Sequence, residues 1–176
     1  MDHKGEVTVK WIRVICFAAM LGALGGCAGG LISNGNVDVS AWSTNYTEDY
    51  IHDFSIRTLD GKRTGVAGFQ VKEFSDGGTG KTQCCAPIRG VGQTVQVVWR
   101  IATIEGSERQ LMVHSRNVEI SGVMPTDLRR HHYLLVRFFP GYEVEAELFS
   151  GDDFDPKNPR VDRLFTGERV MRHKGE

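Results

Sequence analysis

Long apolar runs, charge of one sign and cysteine are all scarce in this chain of 176 residues. Lys and Arg total 21 against 22 Asp and Glu, a formal net charge of −1. That balance provides no general field for gripping a phosphate backbone, so nucleic acid is not an expected partner. There are 4 cysteines, and a chain of this size buries about 68–70% of its unfolded surface, so an ordinary core needs few bridges and no metal. Low-complexity tracts and internal repeats are absent and the charged fraction is 24%. Disorder is therefore excluded as the overall state, and the length suits one domain. From residue 37 onward there is no helical stripe of useful length, which points away from a helix bundle.

The N-terminus reads as an address. Lys4, Lys10 and Arg13 precede an apolar run from Val14 to Leu24. That run falls short of the about 20 residues a membrane-crossing helix needs and suits the apolar region of a secretory signal. It leads into Leu24-Gly25-Gly26-Cys27, which resembles the lipobox of bacterial lipoproteins. Small side chains admit the peptidase, and only a thiol forms the thioether that carries diacylglycerol. The resemblance implies a signal peptide over 1–26, lipidation of Cys27, and a flexible Gly/Ser/Asn-rich tether over 27–36. Ala28 follows the cysteine, not Asp. In a Gram-negative lipoprotein this implies the outer membrane and its periplasmic face.

The body, 37–176, reads as a single β-rich domain with a charged tail. Period-two runs occupy 37–43, 50–56, 94–103, 110–120, 133–139 and 142–149, with a weaker one at 66–74. Val95, Val97 and Trp99 fall on one face of the strongest run. Pro140-Gly141 marks a hairpin turn between the last two. The expected fold is all-β: an antiparallel β-sandwich of immunoglobulin-like type, or a small barrel. The tail, 152–176, is expected to wrap the surface.

Motifs that invite catalytic readings fail on their own chemistry. Ser75 to Thr82 (SDGGTGKT) lacks the first glycine of a phosphate-binding loop and is followed by no helix-forming segment; a flexible surface loop is expected. There is no Gly-x-Ser-x-Gly elbow. Glu143, Glu145 and Glu147 alternate along one strand face, which reads as a solvated face rather than an acid/base pair. Adjacent His131 and His132 point to opposite sides of a strand and do not jointly ligate a metal. Asp153 and Asp155 lack the glycine and terminal Glu of a calcium loop. No enzyme, cofactor or metal is expected.

Cys84 and Cys85 are adjacent. Three arrangements are open to them in an oxidising compartment: a strained vicinal disulfide, two buried thiols, or a bridge to a partner. A redox-catalytic role is not expected, because the separated Cys-x-x-Cys pair is missing.

The order of these features resembles a known family. Asn45-Tyr46-Thr47, the Gly-rich loop, Cys84-Cys85 with Pro87, and the Val95-x-Val97-x-Trp99 strand are similar to a family of small proteobacterial lipoproteins of unknown function. Some of its members are thought to be immunity proteins of type VI secretion phospholipase effectors. The resemblance covers about 37–149 and implies a periplasmic protein that binds and neutralises a secreted lipase. The lipobox resemblance implies that it is held to the membrane through its lipid. Aromatic and Arg side chains usually anchor such contacts, so Trp42, Tyr46, Tyr50, Arg129, Arg130 and Phe154 are the candidate partner-binding residues. The alternative is a structural envelope lipoprotein that scaffolds a secretion or cell-wall assembly.

Overall fold

A computed structural model describes residues 36–176, except 106–107, 129, 151–154 and 156–157. The signal peptide, Cys27 and the tether, together with Arg129 and Phe154, lie outside the described residues. The nine strands are β1 (Val37–Asn45), β2 (Ile51–Arg57), β3 (Arg63–Val71), β4 (Lys81–Gln83), β5 (Ala86–Ile88), β6 (Thr94–Glu105), β7 (Glu108–Gly122), β8 (His132–Phe139) and β9 (Glu143–Ser150). They form one sheet in the order β4-β3-β2-β6-β7-β9-β8-β1-β5, curled into a half-barrel. The all-β expectation therefore holds, in its barrel form.

Most neighbours are antiparallel, as expected. The pairings of β1 with β8 and of β7 with β9 are parallel. These two pairings join strands that are not consecutive in the chain and lie inside the sheet order. The concave side holds the main core, where Val95, Val97 and Trp99 are 0–2% exposed alongside Phe54, Ile56, Leu134, Val136 and Phe138. The predicted phase of β6 is thus the observed one. In β2 the alternation breaks between Ile51 and Asp53, where the ladder with β6 shifts register. That irregularity turns Ile51 inward together with Phe54 and Ile56.

The Gly-rich segment is not a free surface loop. Phe74–Asp76 form a short 3-10 turn, Asn45 N–H donates to the Gly78 carbonyl at 2.8 Å, and Thr44 bridges Thr79. Gly78 has φ +61, and a Cβ there would lie 2.7 Å from the Asn45 carbonyl oxygen. Backbone therefore packs on backbone where the sheet curls shut, and only glycine permits that approach. Asn45 is fully buried. Its Nδ2 donates to the carbonyls of Asp49 and Lys72 at 2.8 and 2.9 Å, and its Oδ1 accepts from Thr47. Asn45-Tyr46-Thr47 is thus the corner that leads β1 into β2.

The convex face of β8 and β9 is covered as well, which is why β8 is buried at nearly every position. The tail segment with a 3-10 turn at Arg163–Thr166 places Val161, Asp162 and Leu164 there, each under 5% exposed. Trp42, Leu135, Phe149 and Phe165 belong to this second, smaller core. The tail does wrap the surface, but as a packed layer.

Candidate functional site

Cys84 and Cys85 occupy the two-residue link between β4 and β5. Those strands lie at opposite ends of the sheet order, so the cysteine pair sits on the seam where the half-barrel's two margins meet. The sulfurs are placed at bonding distance, the arrangement of a vicinal disulfide. Both residues are exposed.

Two further side chains converge on this seam. Ser40, from the convex side of β1, is 3% exposed and lies 3.5 Å from Cys85 Sγ. His131, just before β8, presents Nδ1 to Cys85 Sγ at 3.9 Å and Nε2 to Ser40 Oγ at 2.9 Å. His132 turns the other way: it is 1% exposed, with Nε2 3.1 Å from the Asp127 carbonyl oxygen. The two histidines do face opposite sides, as strand alternation demands. The sequence offered no sign that His131 meets a cysteine 46 positions away; only the β1–β8 pairing brings them together.

A second polar cluster underlies the tail. Arg137 on β8 donates through Nε to Asp162 at 2.8 Å, through Nη1 to Glu147 at 2.7 Å, and through Nη2 to the Arg160 carbonyl at 2.9 Å. Arg160 Nε donates to the other oxygen of Glu147 at 2.7 Å, and the Tyr46 hydroxyl donates to Asp162. Burial disfavours the Arg137 cation, yet the charges of Asp162 and Glu147 outweigh it and hold its pKa above the ordinary value. Burial, then the Asp162 charge and hydrogen bond, push the Tyr46 hydroxyl far above its usual range. The Glu143-Glu145-Glu147 face is thus solvated only in part, with Glu147 buried and Glu143 and Glu145 half-exposed. Glu147 is 8% exposed, Glu145 accepts from the Gly175 N–H, and Glu143 pairs with Lys174 at 2.5 Å.

The remaining anchor candidates separate. Tyr46 is 2% exposed, stacks on Phe139 at 5.3 Å and spends its hydroxyl on Asp162; the fold uses all of it. Trp42 is half-buried between Tyr133 and Phe165, with ring centroids 5.0 and 5.1 Å away. Tyr50 is half-buried at the entry to β2, and Arg130 is exposed 3.9 Å from Asp127. Tyr46 and Trp42 belong to separate buried clusters.

An unanticipated surface lies on β7. The hairpin of β6 and β7 pairs continuously from Thr94↔Glu119 to Glu105↔Glu108. On its other side β7 pairs with β9 only at Ile120, Ser121 and Gly122. The edge from Glu108 to Glu119 therefore has no further strand beside it among the described residues. Leu111, Met112 and Val113 are 37%, 47% and 65% exposed on it. Toward its base, His114 lies between buried Trp99 and the exposed Tyr142 ring, 4.2 Å from the latter. A cleft of about 430 Å³ opens beside Tyr142, walled by Trp99, Phe139 and Met171.

Residues 44–146 match the model of a family described as protein of unknown function (DUF3304). The chain belongs to that family. The match runs from the end of β1 into β9 and includes Cys84, Cys85, His131, Arg137 and the whole β6–β7 hairpin. No curated protein and no solved structure matches the chain.

Proposed function

We propose that this protein is a lipid-anchored binding module at the periplasmic face of the outer membrane, and that it acts as an immunity protein against a type VI secretion phospholipase effector. The observation that carries the binding half of this reading is the open edge of β7. Twelve consecutive residues, Glu108 to Glu119, have no further strand beside them there among the described residues, with Leu111, Met112 and Val113 exposed in the middle. A bare edge of this length offers unpaired backbone N–H and C=O groups to an extended segment of another chain, and alternate side chains select it. The partner this fits carries an extended strand with apolar side chains near its centre. The anchor expected at Cys27 and the resemblance of the Cys84-Cys85, Pro87 and Trp99 pattern to lipoprotein immunity proteins support the remainder. Anchoring at the membrane an incoming lipase must reach keeps the inhibitor's local concentration high.

The test is survival. A neighbouring or co-purifying phospholipase is exported to the periplasm of a susceptible strain, with and without the lipoprotein. Survival only when the lipoprotein is present, with the two proteins co-purifying, is the expected result. Equal killing in both strains removes the immunity reading and leaves the scaffold as the better account.

A further inference from the structure

We infer that Cys84, Cys85 and His131 form a binding site for a thiophilic monovalent cation, Cu(I), when the cysteine pair is in its dithiol form. One ligand atom from each residue lies within 4.8 Å of the other two, and all three residues are exposed. The donor set is two sulfurs and one imidazole nitrogen with no carboxylate, a soft set that selects Cu(I) over hard cations. Structural zinc takes four ligands, and the described residues supply three here.

The geometry behind the imidazole distinguishes this cluster from a chance meeting of side chains. Ser40 is 3% exposed and its Oγ lies 2.9 Å from His131 Nε2. With the Nε2 proton donated to Ser40, the lone pair sits on Nδ1, the nitrogen that faces Cys85 at 3.9 Å. A histidine ligand held by a hydrogen bond from its other ring nitrogen is the usual support of a metal site. Ser40 reaches the cysteines from β1 and His131 from the residue just before β8, so segments remote in sequence bring the cluster together.

Loading requires the sulfur–sulfur bond to open. A small thiol reductant supplies the electrons: two thiols become one disulfide while Cys84 and Cys85 each gain a hydrogen. Cu(I) then displaces both thiol protons to solvent, and neutral His131 donates its Nδ1 lone pair. The site is therefore gated by the state of the cysteine pair, and the oxidised protein takes no copper.

The full-length lipoprotein, purified in detergent, is reduced with dithiothreitol, desalted without oxygen, and titrated with Cu(I) against a chromophoric Cu(I) chelator. A Cys84→Ser/Cys85→Ser protein is the blank that accounts for every other thiol. The reduced wild type is expected to withdraw one more equivalent than the blank, and the unreduced wild type none. Ser40→Ala is expected to weaken binding about tenfold, by loosening the imidazole. His131→Ala weakens it further and removes the nitrogen from the copper coordination shell seen by X-ray absorption. Reduced wild type that matches the blank overturns the site, and so does full affinity in His131→Ala. Denaturation midpoints of the variants, measured alongside, show that the comparison is between folded proteins.

Discussion

Arg137 Nε donates to Asp162 Oδ2 at 2.8 Å, where the two side chains are 2% and 0% exposed. Glu147 and Arg160 extend the pair on one side, and Tyr46 and Arg172 on the other. Removing one member strands its partner's charge in a dry place. Asp162→Ala is expected to cost about 3–5 kcal/mol, because it leaves Arg137 half-paired and the Tyr46 hydroxyl without its acceptor. Urea denaturation reads the loss as a lower midpoint. Limited proteolysis should then cut after Arg163, Arg169 or Arg172, which the wild type protects by docking its tail. An unchanged midpoint would mean that this cluster does not hold the tail.

That cluster also marks the limit of what the sequence discloses. The strands were legible because each buries one face and so alternates; Val95, Val97 and Trp99 betrayed the core side of β6 directly. The outer face of β9 misled, because Glu143, Glu145 and Glu147 look like water-facing residues. Glu147 is instead buried beneath a tail attached through ions, while Glu143 and Glu145 stay half-exposed beside it, and hydropathy patterns register no buried charge pair. β5, at Ala86–Ile88, is too short to show any period. The Cys84–Cys85 pair announced itself, but His131 and Ser40 did not, since parallel pairing between β1 and β8 leaves no local trace.

Gly122 stands where β7 meets β9, paired with Leu148. Its φ is +106, and a Cβ there would lie 2.4 Å from the Leu148 carbonyl oxygen. Gly122→Ala therefore suffers both backbone strain and a clash with backbone that has nowhere to go. A loss of about 2–5 kcal/mol is expected, the backbone term of about 1–2 plus an overpacking term of about 1–3, visible as a lower thermal midpoint. Gly141→Ala is the control: φ is +78 there, with nothing within 4 Å of the added carbon. It should lose only the backbone term of about 1–2 kcal/mol. A Gly122 variant no worse than the Gly141 variant would contradict the close approach.

Asp53 and Arg100 give the acid limb of the stability curve a specific contributor. Arg100 Nε donates to Asp53 Oδ1 at 2.8 Å, a second guanidinium nitrogen contacts Oδ2, and the hydrogen bonds hold the Asp53 carboxyl below its ordinary value. A depressed carboxylate stabilises the fold above its unfolded pKa of about 3.9, and that contribution fades as pH falls through the lower folded value. The Arg100 and Asp53 side chains are 42% and 32% exposed, so at most about 1 kcal/mol is at stake. Asp53→Asn should lower stability at pH 7 by no more than this and reduce the difference from wild type as pH drops below about 4. Parallel curves down to pH 2 would exclude the pair as a stabilising element.

Val113 is 65% exposed on the stretch of β7 whose outer edge has no further strand beside it among the described residues. An exposed substitution away from caps and strained backbone changes stability by about 0.5 kcal/mol or less. Val113→Asp should therefore keep the wild-type denaturation midpoint while losing co-purification with the effector and protection from it, since a charge disrupts an apolar strand contact. Retained protection would move the contact away from this edge.

Cys84 and Cys85 are neighbours in sequence, so a bond between them closes no chain loop beyond the peptide that already joins them. The usual stabilisation of about 2–4 kcal/mol from a disulfide comes in the chain-entropy view from restricting the unfolded state, and that restriction is nearly absent here. β4 and β5 remain held by their own ladders with β3 and β1 whether or not the sulfurs are joined. Reduction is thus expected to leave a folded protein, with a denaturation shift well under that of an ordinary bridge. The comparison is between dithiothreitol-treated and untreated protein, with Cys84→Ser/Cys85→Ser as the permanent reduced state. Little change in all three would establish the pair as a chemical group carried by the fold rather than a brace for it, and would make the dithiol form a stable host for a ligand. Unfolding on reduction would instead assign the seam's closure to the sulfur bond itself.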